Sequence, residues 1–375
     1  MPPMKTVTHH FRILGLGLSL AGPPGVMEPI ATAYRRFAAA ETDVEEPVRI
    51  ELDADGELRV DGEPVRLVPN LDQTLQVYQQ FLATLMDRIG SHAILHAAAL
   101  VGPAGGALLL AAPSGHGKSS LTLELARRGL RFMGDDYAPL DLDRREVWPY
   151  PRTVGLTLDE STPIPEDLRG RIRDHAVTKL FGKSLLDVGE LLGEATIADE
   201  PASLRHVILL TSHTGGGGKL PDTTRIDLAS RIEDADELEE LFAATDGAEI
   251  VQRKDLEHLR VWRLRLRHDR RPTEALSKAF DSGRIVLLEK YWDKKPDFAS
   301  PPRATPIKRR EAAEFLGREL LNRRGGSRLL ARYGNSVAAL FLDLAGALRE
   351  ADCWQVAVGR CAETAELIQE VTARR

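Results

Sequence analysis

Cysteine is nearly absent from this 375-residue chain, which holds only Cys353 and Cys361. Two thiols cannot build a disulfide framework, and their scarcity suits a reducing compartment. Aromatic residues make up 5% of the sequence, so the basic and aromatic interleaving of a nucleic-acid module is missing. No apolar run approaches the roughly 18–20 residues that a membrane span needs. Neither sign of charge dominates: 50 Lys and Arg face 56 Asp and Glu, a net charge of −6. That removes any global electrostatic case for nucleic acid as a partner. Internal repeats and low-complexity tracts are missing too. What remains is a soluble, cytoplasmic protein whose 43% hydrophobic share supports two domains, or one domain with insertions.

The N-terminal stretch offers two readings. Residues 5–21 set basic side chains before a short apolar run, as a secretory signal does. Against this, Leu14, Leu16, Leu18 and Leu20 alternate with Gly15, Gly17 and Ser19. That is the period of a half-buried strand.

Four segments follow from the patterning. Residues 1–90 read as a mixed α/β region, with a strand over 6–20, a helix over 30–39, strands over 48–52 and 58–67 and a helix over 71–89. Residues 91–250 switch to continuous apolar runs followed by helices, as in strands covered on both faces. Strands are expected at 94–101, 107–112, 131–133, 138–142 and 206–211, with a helix over 118–128 closed by Gly129. Residues 215–218 are all glycine and read as a loop or hairpin turn. Charge is segregated next: residues 233–249 are acidic and 251–332 basic, with clusters at Arg260, Arg263, Arg265, Arg267, Arg270 and Arg271, and at Lys308, Arg309, Arg310, Arg323 and Arg324. Residues 251–345 are expected to be a helical, basic insertion, and 346–375 a strand and helix returning to the core.

Residues 112–119 read Ala-Pro-Ser-Gly-His-Gly-Lys-Ser. This is the phosphate-binding loop G-x-x-x-x-G-K-[ST] with alanine at its first position. Glycines let backbone N–H groups close around phosphate oxygens, and the following helix adds its positive N-terminal end. Pro113, Ser114, Gly115, His116, Gly117, Lys118, Ser119 and Ser120 would hold ATP, with Lys118 on its β and γ phosphates and Ser119 on Mg²⁺. Gly-Lys-Ser alone also occurs in turns that bind nothing. An apolar strand entering and a helix leaving favour the nucleotide. Asp135 and Asp136 follow 17 and 18 residues after Lys118, one helix and one strand later. Adjacent acids there can ligate Mg²⁺ and accept a proton from a hydroxyl, or can simply form an acidic turn.

This combination resembles the catalytic domain of HPr kinase/phosphorylase, the bacterial serine kinase. There a histidine precedes the loop by one strand-turn-strand, and R-G-h-x-h-h-x-D-D follows it. Here His96, the 112–119 loop and residues Arg128 to Asp136 repeat that order. The resemblance is strong over about 60 residues, 95–156, continues more weakly to 210, and returns at 353–371. It implies a P-loop kinase core of the HPr kinase type, flanked by the N-terminal α/β region and the insertion. It makes Asp135 the general base and Asp136 a Mg²⁺-associated acid, and sets His96 beside the transferring phosphoryl group. By itself His96 reads as a strand histidine bonded to backbone. Arg152 and Lys183 are secondary candidates for γ-phosphate charge, or else solvated cations.

Two departures stand out. Tyr150 occupies the place of the family's magnesium-binding glutamate, so metal ligation would fall to Asp159, Glu160 or water. The family's separate N-terminal domain is not recognisable in residues 1–90, so HPr itself is not the expected substrate. The chain looks more like the divergent HPr-kinase-related proteins, some of which act beside peptide-modifying enzymes. The expectation is an ATP-dependent kinase acting on a hydroxyl of a protein, peptide or small molecule; the basic segment 251–332 either docks an acidic acceptor or is simply a solvated helical insertion. A nucleotide-switched scaffold is the alternative. The related kinases assemble as rings, which suggests a homo-oligomer.

Overall fold

Alternating apolar residues start the first sheet. In the computed structural model, which describes residues 5–67, 72–113, 115–157, 164, 166–180, 182–212, 223–255, 259–267, 270, 279, 284–292, 297–322 and 326–373, β1 (Val7–Ile13) and β2 (Leu16–Gly22) pair as an antiparallel hairpin. The single strand expected over 6–20 is thus folded in two. Leu14 and Gly15 take φ of 49° and 82°, the backbone of a two-residue hairpin turn. α1 (Pro24–Ala33) starts earlier than the helix expected over 30–39. Proline suits its first turn, where an N–H would be unpaired anyway. β3 (Val48–Leu52) joins β2 in parallel, and β4 (Leu58–Val60) and β5 (Glu63–Val65) complete the order β1-β2-β3-β4-β5. α2 (Gln73–Arg88) is capped by the Asp72 carboxylate, which accepts from the Leu75 N–H. Its Val77, Phe81 and Leu85 are buried with Phe11, Ile13 and Tyr34 of the first hairpin and α1.

The central sheet begins at β6 (Ala93–Leu95) and β7 (Ala97–Val101). These are expected as one strand but break at His96, whose N–H donates to the Glu319 carbonyl at 2.8 Å. β8 (Ala107–Ala111), α3 (Lys118–Arg127), β9 (Arg131–Gly134), β10 (Ala138–Asp141) and β11 (Glu146–Val147) follow. β12 (Val154–Leu156), α4 (Glu166–Asp174), β13 (Ala176–Leu180), β14 (Lys183–Leu186) and α5 (Val188–Leu192) come next, with β12-β14-β13 as a small separate sheet. β15 (Ala202–Thr211) then returns to the centre, parallel to β8.

Four strands between residues 223 and 292 make a sheet of their own. β16 (Thr223–Arg231), α6 (Ile232–Ala244), β17 (Ala248–Asp255), β18 (Leu259–Arg267) and β19 (Ile285–Trp292) give the order β17-β18-β16-β19. The expected helical insertion therefore opens with strands. The reason lies in its own alternation: Trp262, Leu264 and Leu266 are buried with α6's Leu238 and Phe242, while Arg263, Arg265 and Arg267 take the other face. The arginines also find acids within the unit. Arg260 pairs with Asp236 and Asp255, Arg263 with Asp227 and Arg265 with Glu249. These arginines are thus neutralised by acids of the same unit.

Further helices follow from residue 309. β20 (Arg303–Pro306), α7 (Arg309–Arg318), α8 (Arg328–Arg332), α9 (Val337–Ala347), β21 (Asp352–Ala357) and α10 (Cys361–Thr372) end the chain. β21 lies parallel to β15, so β8, β15 and β21 form a parallel centre. Side chains of β8 alternate between two cores. Leu108 and Leu110 pack with Leu121, Leu125 and Ile368 of α3 and α10. Ala107, Leu109 and Ala111 share a cluster with Phe315, Leu316 and Leu344 of α7 and α9. Covering on both faces explains why β7 and β8 are apolar throughout. No helix among the described residues is long and apolar enough to cross a membrane. Ser114, Asp159, Glu160, residues 215–218, Arg271, Arg323 and Arg324 lie outside the described residues.

β9 ends at Gly134, beside the first aspartate. A Cβ at that position would stand 2.9 Å from the carbonyl oxygens of both Tyr137 and Tyr150. Gly134→Ala is therefore expected to destabilise the protein by about 2 kcal/mol in urea unfolding. A loss below about 0.5 kcal/mol, the range of neutral surface changes, would show that the strand end relaxes freely.

Candidate functional site

The loop after β8 is shaped by its glycines. Gly115 and Gly117 have φ of 80° and 74°, in the left-handed region that side-chain-bearing residues avoid. Space at Gly115 is open: a Cβ there would meet nothing within 4 Å. Gly117 caps α3, and its carbonyl accepts the Leu121 N–H at 2.8 Å. His116 and Ser120 are buried against the loop, and Pro113 accepts the His116 N–H. Lys118 and Ser119 stand in the first turn of α3.

Both side chains reach the strand end after β9. Lys118 Nζ donates to the Asp135 carbonyl at 3.0 Å and to Asp136 Oδ1 at 2.9 Å. Ser119 Oγ donates to Asp135 Oδ2 at 2.7 Å. Arg152 Nη2 donates to Asp136 Oδ2, and its Nη1 to the Tyr78 hydroxyl at 2.7 Å. Its guanidinium carbon lies 4.8 Å from the centre of the Tyr137 ring, a cation–π contact. The structure therefore joins Lys118, Ser119, Asp135, Asp136 and Arg152 in one network.

The two aspartates differ in their surroundings. Asp135 is 1% exposed, and its Oδ1 has no hydrogen-bond partner among the described residues. Burial, then the Asp136 charge, push its carboxyl above the ordinary value, and Lys118, Ser119 and Arg152 only partly offset them. Burial opposes ionisation of Asp136 too. There Lys118, Arg152 and His96 prevail and hold the carboxyl well below its ordinary value. Arg152, with its side chain 10% exposed, is kept charged against its burial by Tyr78, Asp136 and Tyr137.

His96 stands at the break between β6 and β7, where a protonated ring would favour the ionised form of Asp136. Its Nδ1 is 3.1 Å from Glu319 Oε2. Lys183 is exposed on β14 and takes part in none of these contacts. Tyr150, at the place where a glutamate was expected, is 1% exposed. It packs against Phe37, Tyr137 and Tyr34, with ring centres 4.8, 5.6 and 6.3 Å away. It is part of an aromatic wall. Among the described residues no cluster of three or more His, Cys, Asp or Glu is arranged to hold a metal.

Tyr78, Tyr137 and Glu319 are site residues that sequence reasoning missed. Tyr78 lies on the apolar stripe of α2 and reads as core. Tyr137 follows the aspartates directly, which is the only local hint. Glu319 carries no motif.

No family model matches this chain, and no curated protein does. Among solved structures, it is similar to the Hpr(Ser) kinase/phosphatase from Coxiella burnetii, at 19% identity and a TM-score of 0.24. That match covers 33% of this chain and 69% of the other.

The aspartates should respond oppositely to pH. Folding favours protonated Asp135, so the stability it contributes is complete below about pH 3.9 and lost as pH rises through its folded value. Asp136 contributes above about pH 3.9 and loses that contribution as pH falls through its folded value. At pH 7, Asp135→Asn is expected to raise the unfolding midpoint. Asp136→Asn is expected to lower stability by about 3 kcal/mol, since Lys118 and Arg152 lose their shared anion. Urea unfolding at pH 7 and at about pH 3.5, near the ordinary aspartate value, checks both: the Asp135→Asn gain should shrink in acid, whereas the Asp136→Asn loss should largely persist, because the folded value of Asp136 lies well below that pH.

Proposed function

We propose that the protein is an ATP- and Mg²⁺-dependent phosphotransferase acting on a hydroxyl of a protein, peptide or small molecule. One observation carries this: Lys118 and Ser119, at the mouth of a left-handed glycine loop, meet two aspartates of opposite proton affinity. The loop residues Pro113–Ser120 would hold the nucleotide phosphates, with open space at Gly115 for close approach. Lys118 would leave Asp136 for the β and γ phosphates. Arg152 would stay on Asp136 and keep that acid paired. Ser119 and Asp136 suit Mg²⁺, which takes a few oxygen ligands and keeps waters, so the lost glutamate is not essential. When bound, Mg²⁺ supplies neutralising charge to the phosphates.

Asp135 would act as the general base. Its raised proton affinity and unpartnered Oδ1 suit a group that takes a proton in the transition state. The acceptor hydroxyl gives its proton to Asp135 as its oxygen attacks the γ phosphorus. The bond to the β–γ bridging oxygen breaks, and ADP leaves.

Incubation with γ-labelled ATP, Mg²⁺ and a library of serine- and threonine-containing peptides tests this reading. Transfer is expected for the wild type. Lys118→Met should weaken ATP binding at least about tenfold, a loss of roughly 1.4 kcal/mol. Asp135→Asn should keep binding and lower transfer about 100-fold or more. Binding without transfer, unaffected by Asp135→Asn, would instead favour a nucleotide-switched scaffold.

A further inference from the structure

Glu319 comes from the C-terminal end of α7, 223 residues after its partner His96. The chain around it is fixed to the strand that carries the histidine. The His96 N–H donates to the Glu319 carbonyl at 2.8 Å, and the Leu321 N–H to the Ile94 carbonyl at 2.8 Å. Asn322, fully buried, accepts the Ile94 N–H at 3.0 Å and donates to the carbonyls of Ile89 and His92 at 3.2 and 2.8 Å. Residues 319–322 thus act as a short added strand against β6. That backbone clamp sets where the Glu319 side chain can stand.

The Glu319 side chain is 8% exposed and that of His96 32%. A carboxylate buried to that degree needs hydrogen bonds and a counter-charge. Facing an imidazole, it also selects a tautomer: a carboxylate accepts, so the facing nitrogen must carry the proton. Here that nitrogen is Nδ1, which leaves Nε2 as the other functional atom of the ring. A protonated His96 would also favour the ionised form of Asp136. A histidine held in this way by a carboxylate is the arrangement that orients an imidazole and stabilises its protonated form in acid–base enzymes.

We infer that Glu319 is a positioning residue, which holds His96 as the Nδ1–H tautomer so that Nε2 serves the transferring phosphoryl group. This rests on the phosphotransferase reading above. When Nε2 donates to a phosphoryl oxygen the ring carries a second proton, and the buried Glu319 carboxylate is its counter-charge. A site assembled from residues 96, 118–119, 135–136 and 152 is then completed by a segment outside the motif region.

Long-range ¹H–¹⁵N correlation on the full chain tests the tautomer, with the His96 signals assigned by their loss in His96→Asn. The ¹⁵N shifts of the two ring nitrogens distinguish the protonated ring from each neutral tautomer, and the pH is raised until the neutral form is seen. The wild type is expected to show Nδ1–H at His96. Glu319→Gln, whose amide oxygen still accepts, should keep that tautomer and most of the transfer rate. Glu319→Leu should revert to Nε2–H and lower kcat about 10–100-fold with KM for ATP little changed, as removal of an orienting carboxylate does elsewhere. An Nε2–H wild type, or a Glu319→Leu protein that keeps Nδ1–H, would overturn the inference. If Glu319→Leu fails to fold, the wild-type and Glu319→Gln spectra still decide the tautomer. A wild type that neither binds ATP nor transfers phosphate would sink the phosphotransferase reading alone, since the tautomer is read without ATP.

Discussion

Two neighbouring carboxylates in one poorly hydrated place cannot both ionise at little cost, and the site is organised around that constraint. Its solution is unequal partnering. Asp136 takes the two cations, Lys118 and Arg152. Asp135 receives one neutral hydroxyl, from Ser119, and keeps an oxygen without a partner among the described residues. Identical side chains at adjacent positions thus acquire opposite proton affinities. A phosphate chain entering the loop would compete for Lys118, and Asp136 would be left uncompensated unless a second cation remained. Arg152 supplies it, which explains why this arginine is held so firmly by Tyr78 and the Tyr137 ring.

That holding ties the site to the first ninety residues. Tyr78 belongs to α2, and the Thr153 N–H donates to the Ala33 carbonyl of α1 at 3.1 Å. Arg35 and Arg36, just after α1, pair with Asp187 ahead of α5. Aromatic packing then fixes the approach: Tyr150 lies among Phe37, Tyr34 and Tyr137, and its carbonyl crowds Gly134. The turn that presents the aspartates is therefore shaped by the N-terminal unit as well as by the central sheet. Residues 1–90 thus reach the site itself, because the Tyr78 hydroxyl holds the arginine that pairs with Asp136.

What could be seen in the sequence was local. The 112–119 loop, the helix after it and the acid pair lie within about 25 residues, and each has its own chemical reason for its residue types. Contacts closed over long separations left no such trace. Glu319 and His96 are 223 residues apart, and nothing around Glu319 marks it out from other acids at helix ends. The segment after 250 misled for a different reason. Its arginines drew attention to charge, whereas the alternating Trp262, Leu264 and Leu266 between them define a strand. Tyr150 was legible as a departure from the resembled pattern, but its place in an aromatic wall depends on Tyr34 and Phe37, more than a hundred residues away.

Burial alone does not distinguish a working carboxylate from a structural one, as Glu124 makes clear. It lies on α3 as deeply buried as Asp135, yet Arg127 and Arg128 both grip it. Desolvation opposes its charge, and those two hydrogen-bonded cations overcome the opposition and hold its carboxyl below the ordinary value. Glu124 is satisfied, and Arg128 extends the contact to the Ala362 carbonyl at the start of α10. Asp135 has the same burial without the cations, although Lys118 stands close enough to donate to its backbone carbonyl. An unpaired buried acid weakens a fold at neutral pH, and substitution by asparagine would remove that weakness. Such an acid beside a loop of this geometry fits the general-base role proposed for it above.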